Sequence, residues 1–293
     1  MYTRASASDY DDFQAEGWTT KELIPLMKKH ETYQRPCNNR DIHRFEGPIK
    51  VSFGNYTYPI AWDFLRATES RGIPTTDDLQ DLTTGHGGEH WLKWIDRDTS
   101  RRSDSAYAYI YSNMRQVDPH VCGYRSIADT LHNRNHGNLY LMCNTKVDKV
   151  IIENGHATAL QTVPMKVLDT KQPQERIIKA RKQIVISCGT LNTPLVLQRS
   201  SIGDPEKLQK AGVKCQVELP GVGLNFQDHY LTFSAYRAKS DTESFDDFIR
   251  GDPEVQKRVY DQWNLNGTGP LATNGIEAGV KVRLQMKNCV RTI

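Results

Sequence analysis

The chain has 293 residues, 38% apolar and 25% charged, and its 38 Lys and Arg against 35 Asp and Glu leave a formal net charge of +3. That length holds one large domain or two ordinary ones, and the charge balance does not suit an electrostatic nucleic-acid binder. Six cysteines are too sparse for a disulfide scaffold, and no run approaches the roughly 18 apolar residues of a membrane span.

The opening residues carry Arg4, Asp9, Asp11, Asp12 and Glu16 without an apolar core, so no secretory signal is visible and the chain reads as intracellular. Ser6 or Ser8 is placed to cap a short helix. A second helix starts near Thr20, where Leu23, Leu26, Met27 and His30 recur at spacings of three and four. Pro25 must fall in its first turn or kink it. PIKVSF is a short alternating stretch inside a loop, and AWDFLRATESRG reads as a helix closed by Gly72. SDSAYAYIYSNM reads as a helix capped by Ser103 or Ser105. Residues 116–134 have no clear period. NLYLMCNTKVDKVIIENGHATALQTV is strand, break, strand, Asn154-Gly155 turn, strand. Gln183 to Ser187 reads as a buried strand running into Cys188-Gly189, and then a helix opened by Thr193-Pro194. Such a strand, turn and helix presents backbone N–H groups to anions. KLQKAG is a short helix, VELPGVGLNFQDH a strand and a glycine-rich corner, and Pro253 to Trp263 a helix.

Several chemistries fail on spacing. His86 and His90 are separated by Gly87-Gly88-Glu89, which is not the H-E-x-x-H order, and no C-x-x-C pair exists, so no metal site is expected. There is no G-x-S-x-G elbow, no phosphate loop ending in Gly-Lys-Ser/Thr and no G-x-G-x-x-G. KARK near 179–182 reads as an edge with solvated charges. The residues alone lead to a mixed α/β protein with a candidate anion or cofactor contact near 187–195.

Taken together, MYTRASASDYDDFQAEGW, IHRFEGPIKVSFGNY, GHGGEHWLKWIDRDTSRRSDSAYAY, NLYLMCNTKVDKVIIENG, CGTLNTPLVLQRSSIGDP, LPGVGLNFQDHY and GTGPLATNGIEAGVK resemble the glucose–methanol–choline (GMC) oxidoreductases, and among them the fungal alcohol (methanol) oxidases. The resemblance runs in family order over nearly all of residues 1–282. It implies an incomplete FAD-binding Rossmann-like domain over 1–229, with an atypical insert at 116–134. The start of a substrate-binding domain follows over 230–282 and a divergent tail over 283–293. The function implied is FAD-dependent oxidation of a small primary alcohol with O2 as acceptor, giving aldehyde and hydrogen peroxide. The alternative is a non-catalytic remnant that keeps part of the scaffold.

The resemblance also implies site residues. Val147 matches the position whose backbone meets the adenine end of FAD. Cys188 and Gly189 match the strand end beside the dinucleotide, and Asn192 and Thr193 the helix start after it. Asp228 and His229 match the corner near the flavin. Tyr2 and Arg4 match a segment that packs by the flavin ring. The family's pyrophosphate loop and its C-terminal catalytic His, with a His or Asn partner, have no counterpart in these 293 residues. No catalytic residue is therefore assigned, and the chain on its own is expected to bind FAD weakly or not at all and not to turn over alcohol. In the family the partners are the alcohol, O2 and further copies of the chain, in a peroxisomal or cytoplasmic setting, with no nucleic acid or membrane. The family's signature ends Ser-Gly-x-Gly where this chain has Ser201, a change that is strained if φ there is positive.

Overall fold

The computed structural model of the protein describes residues 1–36, 40–110, 131–132, 140–142, 144–164, 175–239 and 241–282. Apart from the backbone of 131–132, the proposed insert over 116–134 and the tail over 283–293 lie outside these. The described residues are mixed α/β and divide into two units, one from 1–110 and 236–282, the other from 131–235.

The first unit begins with helix α1 (Ala7–Asp11), where Ser6 N–H donates to Asp9 Oδ2 at 2.9 Å. Helix α2 (Thr20–His30) starts the same way, with Thr19 Oγ1 and N–H both donating to Glu22 Oε2 at 2.6 and 3.2 Å. Pro25 sits inside α2, past the first turn, and leaves the Lys21 carbonyl without its usual donor. Strand β1 (Glu31–Tyr33) follows at once and pairs in parallel with β2 (Ile49–Val51). Alternation buries Glu31, Tyr33, Ile49 and Val51 on the inner side. Tyr2, Tyr33, Val51 and Leu92 form the core, with Phe45, Phe53 and Trp94 packed around it.

Helix α3 (Ile60–Glu69) buries Ala61 and Leu65, and Gly72 beyond it adopts φ +83. Strand β3 (Gly87–His90) pairs antiparallel with Ala278–Lys281, which ties the two ends of the unit together. The close approach is visible at Gly279, where an added Cβ would lie 2.1 Å from the Trp91 ring. The turn Ala106–Ile110 is π-helical, and its opener is neither Ser103 nor Ser105. Asp104 Oδ1 accepts Tyr107 N–H at 2.8 Å, while Ser103 Oγ is occupied by Lys50 N–H. A carboxylate is the stronger acceptor at the positive end of a helical turn.

The second unit contains the short backbone pair β4 (Leu131–His132) and β5 (Tyr140–Leu141). Its main sheet is the antiparallel set β6 (Thr145–Glu153), β7 (His156–Pro164) and β8 (Arg176–Lys179). The β6–β7 turn holds Asn154 and Gly155 at φ 51 and 77, as a two-residue hairpin requires. β8 is one of its two edges, and Lys179 at its end belongs to the KARK run. Helix α4 (Gly189–Arg199) begins at Cys188, earlier than the Thr193-Pro194 start read from sequence. Thr193 instead lies inside α4, and its Oγ1 accepts Cys188 N–H at 2.9 Å. Residues 183–187 form no strand, and Val185 is 73% exposed. A strand of that apolar type is held by neighbours on both sides, and none of the described strands pairs with it. After α4 come β9 (Ile202–Gly203), α5 (Pro205–Lys210) capped by Asp204, and β10 (Val217–Glu218) parallel to β9.

The first unit resumes with α6 (Asp246–Arg250) and α7 (Pro253–Asn266), the latter ending on Gly267 at φ 61. A 3-10 turn (Pro270–Ala272) leads into β11 (Ala278–Lys281).

Ser201 has φ +68, so the strained alternative holds. Left-handed geometry disfavours an L-residue by about 1–2 kcal/mol, and glycine's extra freedom in the unfolded chain returns part of this. Ser201→Gly is expected to stabilise the second unit by about 0.5–1 kcal/mol. A thermal melt followed by far-UV circular dichroism measures it, and an unchanged or lowered midpoint contradicts the strain.

Candidate functional site

A cleft of about 520 Å³ opens in the first unit. Its walls are apolar at Ile49, Trp94, Ile95 and Leu271 and polar at His30, Arg102, Asp104, Thr273 and Asn274, with Met1 also on the lining. β2 supplies Ile49, the run after β3 supplies Trp94 to Ser105, and the segment between α7 and β11 supplies Leu271 to Asn274.

Behind this cleft lies a buried ionic network centred on Glu31, whose side chain is fully buried. Glu31 Oε1 meets Arg4 Nη2 at 2.7 Å and His43 Nδ1 at 3.0 Å, and Glu31 Oε2 accepts the Tyr2 hydroxyl at 2.7 Å. His43 Nε2 continues to Asp78 Oδ2 at 3.0 Å. Burial by itself would raise the Glu31 carboxyl, but the bonds from His43, Arg4 and Tyr2 outweigh it and hold it below the ordinary value. Burial opposes charge on His43, yet its bonds to Asp78 and Glu31 raise it. Burial, followed by the Glu31 carboxylate, raises the Tyr2 phenol. Tyr2 also stands edge-on to Trp94, with ring centroids 4.9 Å apart. The network therefore reaches the cleft wall by packing.

A second buried cluster joins the far end of the chain. Lys93 and Glu277 form an ion pair of 2.7 Å, and Lys93 Nζ also donates to Phe53 O at 2.8 Å. Thr273 Oγ1 donates to Glu277 Oε1. Lys281 Nζ, on β11, donates to Arg4 O and Gln80 Oε1 at 2.8 and 3.1 Å. His86 is exposed, and His90 Nε2 meets Thr57 Oγ1 at 3.0 Å in a site where burial, with Lys93 and Arg35, lowers it to about 4. Among the described residues, no three metal-ligating side chains converge.

Glu89 is a further buried acid, accepting from Leu79 N–H, Gln80 Nε2 and Arg35 Nη1 at 3.0, 3.3 and 3.2 Å. Burial, with repulsion from Asp78, lifts it from 4.5 to about 7. A raised carboxyl stabilises the fold fully below its unfolded value near 4.5, and that stability is lost as pH rises through 7. At 1.36 kcal/mol per pH unit the loss is about 3 kcal/mol. His43 has the same sign, present below its unfolded 6.5 and lost above its raised value. Urea unfolding of the wild type is expected to weaken between pH 5 and 8, and Glu89→Gln to flatten most of that slope. An unaltered slope in the variant contradicts the assignment.

Of the residues expected from sequence, Tyr2 and Arg4 come together on Glu31 in the first unit, with side chains turned into the network. The others lie in the second unit. Val147 is half-buried on β6 beside a β-bulge. α4 packs on the same strand, with Arg199 Nε donating to Asp148 O at 2.8 Å. Cys188, Gly189 and Thr193 meet at the start of α4, and Asn192 is exposed one turn on. Asp228 and His229 are exposed, and the contact between them is His229 N–H to Asp228 Oδ1 at 2.8 Å.

Sequence reasoning missed Glu31, His43, Lys93, Glu277 and Asn274. Two of them carried a signal. Lys93 stands inside the run Trp91-Leu92-Lys93-Trp94, and Glu31 occupies an inward position of an alternating strand.

The family description "GMC oxidoreductase" matches residues 1–123 and 124–231. The chain is also 68% identical over 283 residues to alcohol oxidase 1 of Komagataella phaffii, covering 97% of this chain and 40% of that protein. This protein belongs to the GMC oxidoreductases. The alcohol oxidase of Candida boidinii is 63% identical to this GMC chain over the same shares. In the fold, an Aspergillus oryzae formate oxidase variant aligns with a TM-score of 0.74 at 20% identity, over 94% of this chain and 44% of the other. A fungal aryl-alcohol oxidase aligns with a TM-score of 0.71 at 20% identity, over 94% and 46%. These likenesses identify the fold as part of the Rossmann-like FAD-binding architecture of the family. The chain spans about 40% of the length of the curated relatives it matches. Among the described residues, no helix is long and apolar enough to cross a membrane.

Proposed function

We propose that these residues work within an FAD-dependent alcohol oxidase that converts a small primary alcohol to its aldehyde and O2 to hydrogen peroxide. The observation that carries this reading is 68% identity to an alcohol oxidase over 283 residues, which is 97% of this chain. The start of α4 fits a dinucleotide. Gly189, at φ +83, has nothing within 4 Å of where a Cβ would be, and the first N–H groups of the helix have no intrahelical acceptor. Cys188, Gly189, Asn192 and Thr193 would hold the cofactor there, with Val147 toward its adenine end and Asp228 and His229 toward its flavin. Bound FAD supplies the hydride acceptor and the route of electrons to O2.

The chain's own residues do the rest by placement. Tyr2 and Arg4, fixed by Glu31, set the backbone of the segment that packs by the flavin ring. Ile49, Trp94, Ile95 and Leu271 give the cleft apolar walls that receive a small alcohol and exclude water. In this reading residues 1–229 belong to the FAD-binding domain and 230–282 to the start of the substrate-binding domain.

A chimera tests the reading. Komagataella phaffii alcohol oxidase 1 with its matching residues replaced by residues 1–110 of this chain is expected to keep its yellow flavin absorbance. It is also expected to produce peroxide from methanol within about tenfold of the parent, a barrier change of about 1.4 kcal/mol at most. A folded chimera without flavin or without peroxide rejects it.

A further inference from the structure

The segment from Gly267 to Glu277 is a strap across the cleft, pinned at both ends by buried groups. At one end Ser100 Oγ donates to Gly267 O, and Asn55 Nδ2 reaches Gly267 O, Ser100 Oγ and Arg97 O at 3.3, 2.6 and 2.7 Å. Ser100 is 4% exposed and held at φ +55, a conformation that persists only where its surroundings impose it. At the other end Glu277 is fixed by Lys93, and its carbonyl accepts Trp91 N–H at 2.7 Å. Midway, a Cβ on Gly54 would sit 2.5 Å from Ala272 O, so the strap packs directly on the Gly54 backbone there. Thr273, bonded to Glu277, carries the next residue, Asn274, onto the cleft lining.

Asn274 Oδ1 accepts Ile276 N–H at 3.1 Å. Its Nδ2 has no acceptor among the described residues, so the group it offers the cleft is a donor. Arg102 on the same lining is another donor, and the lining also carries the carboxylate of Asp104. A neutral ligand with an acceptor oxygen satisfies that set better than an anion or a hydrocarbon.

We propose that Asn274 donates a hydrogen bond to the oxygen of a neutral small alcohol or aldehyde in this cleft, and that Glu277 is the positioning residue that aims it. The proposal rests on the oxidase reading and names the contact it needs. An alcohol oxygen that accepts from Asn274 keeps its own O–H proton available to a base.

Fluorine NMR line broadening of para-fluorobenzaldehyde, para-fluorotoluene and para-fluorobenzoate with the full chain tests it. The aldehyde is expected to bind about two- to tenfold more tightly than the toluene, the range of one neutral hydrogen bond. Asn274→Ala is expected to erase that ratio with toluene binding unchanged, and Asn274→Asp to invert it. Glu277→Gln is expected to reduce the ratio and to speed hydrogen exchange at 271–276. A ratio preserved in Asn274→Ala, tighter binding of the benzoate, or no saturable binding of any probe overturns the proposal. Asn274 is exposed, so its variants leave the core intact. Flavin has no part in these measurements, so failure of the chimera strikes the oxidase reading alone.

Discussion

Replacing Glu31 with Ala is expected to destabilise the first unit by about 3–5 kcal/mol, the cost of removing one partner from a buried ion pair. The reason is what remains. Arg4, 7% exposed, would keep its positive charge with no carboxylate at Glu31 to meet it, His43, 1% exposed, would lose its Nδ1 partner, and the Tyr2 hydroxyl would lose its acceptor. A domain commonly has about 5–15 kcal/mol in total, so the variant sits near the edge of folding. Glu31→Gln keeps an acceptor for Tyr2 and is expected to cost less. All five tryptophans (Trp18, Trp62, Trp91, Trp94 and Trp263) lie in the first unit, so urea unfolding followed by tryptophan emission reports this unit alone. Glu31 is depressed, so its stability is present above the ordinary carboxylate value and lost as pH falls through its folded value. The gap between wild type and variant should therefore shrink in acid. A midpoint shift worth less than about 1 kcal/mol, a typical surface effect, contradicts the central role given to Glu31.

The second large effect is expected at Lys93, whose side chain is fully buried against Glu277. Lys93→Met is expected to cost about 3–5 kcal/mol, since it strands the Glu277 carboxylate among Thr273 and His90. The double variant Lys93→Met/Glu277→Met removes both charges at similar volume. It is expected to recover at least about 2 kcal/mol relative to the sum of the single variants. Glu277→Met alone leaves an ammonium that burial already drives toward neutrality, so it should regain stability as pH rises. Simple additivity of the two substitutions rules out the pair as a coupled unit.

Much of the local structure was legible because it depends on neighbours in sequence. Ser6 and Thr19 start helices by bonding acids three residues on, Asn154-Gly155 makes a hairpin, and Asp252-Pro253 opens α7. The failures have a common cause. Residues 183–187 have the apolar composition of a central strand, but strand formation needs partners that composition does not supply. Thr193-Pro194 looked like a helix start, yet Thr193 can equally bond Cys188 N–H from inside the helix, and the structure takes that option.

The site divides along the same line. The family-pattern segments were readable as words, and they led to Tyr2, Arg4 and the Cys188–Gly189 turn. The ionic network was not readable, because Glu31 meets Arg4, Tyr2 and His43 across 12 to 29 positions and Lys93 meets Glu277 across 184.

The 293-residue sequence by itself determined the family, the mixed α/β class and most helix and turn boundaries, since each rests on short-range bonding and ordered motifs. Only the tertiary structure decided that Tyr2 and Arg4 turn into a buried network, that Ser201 is left-handed, and that a strap pinned by Lys93 and Ser100 places Asn274 on the cleft. Those outcomes depend on which distant charges share a low-dielectric interior, and no local pattern encodes that pairing.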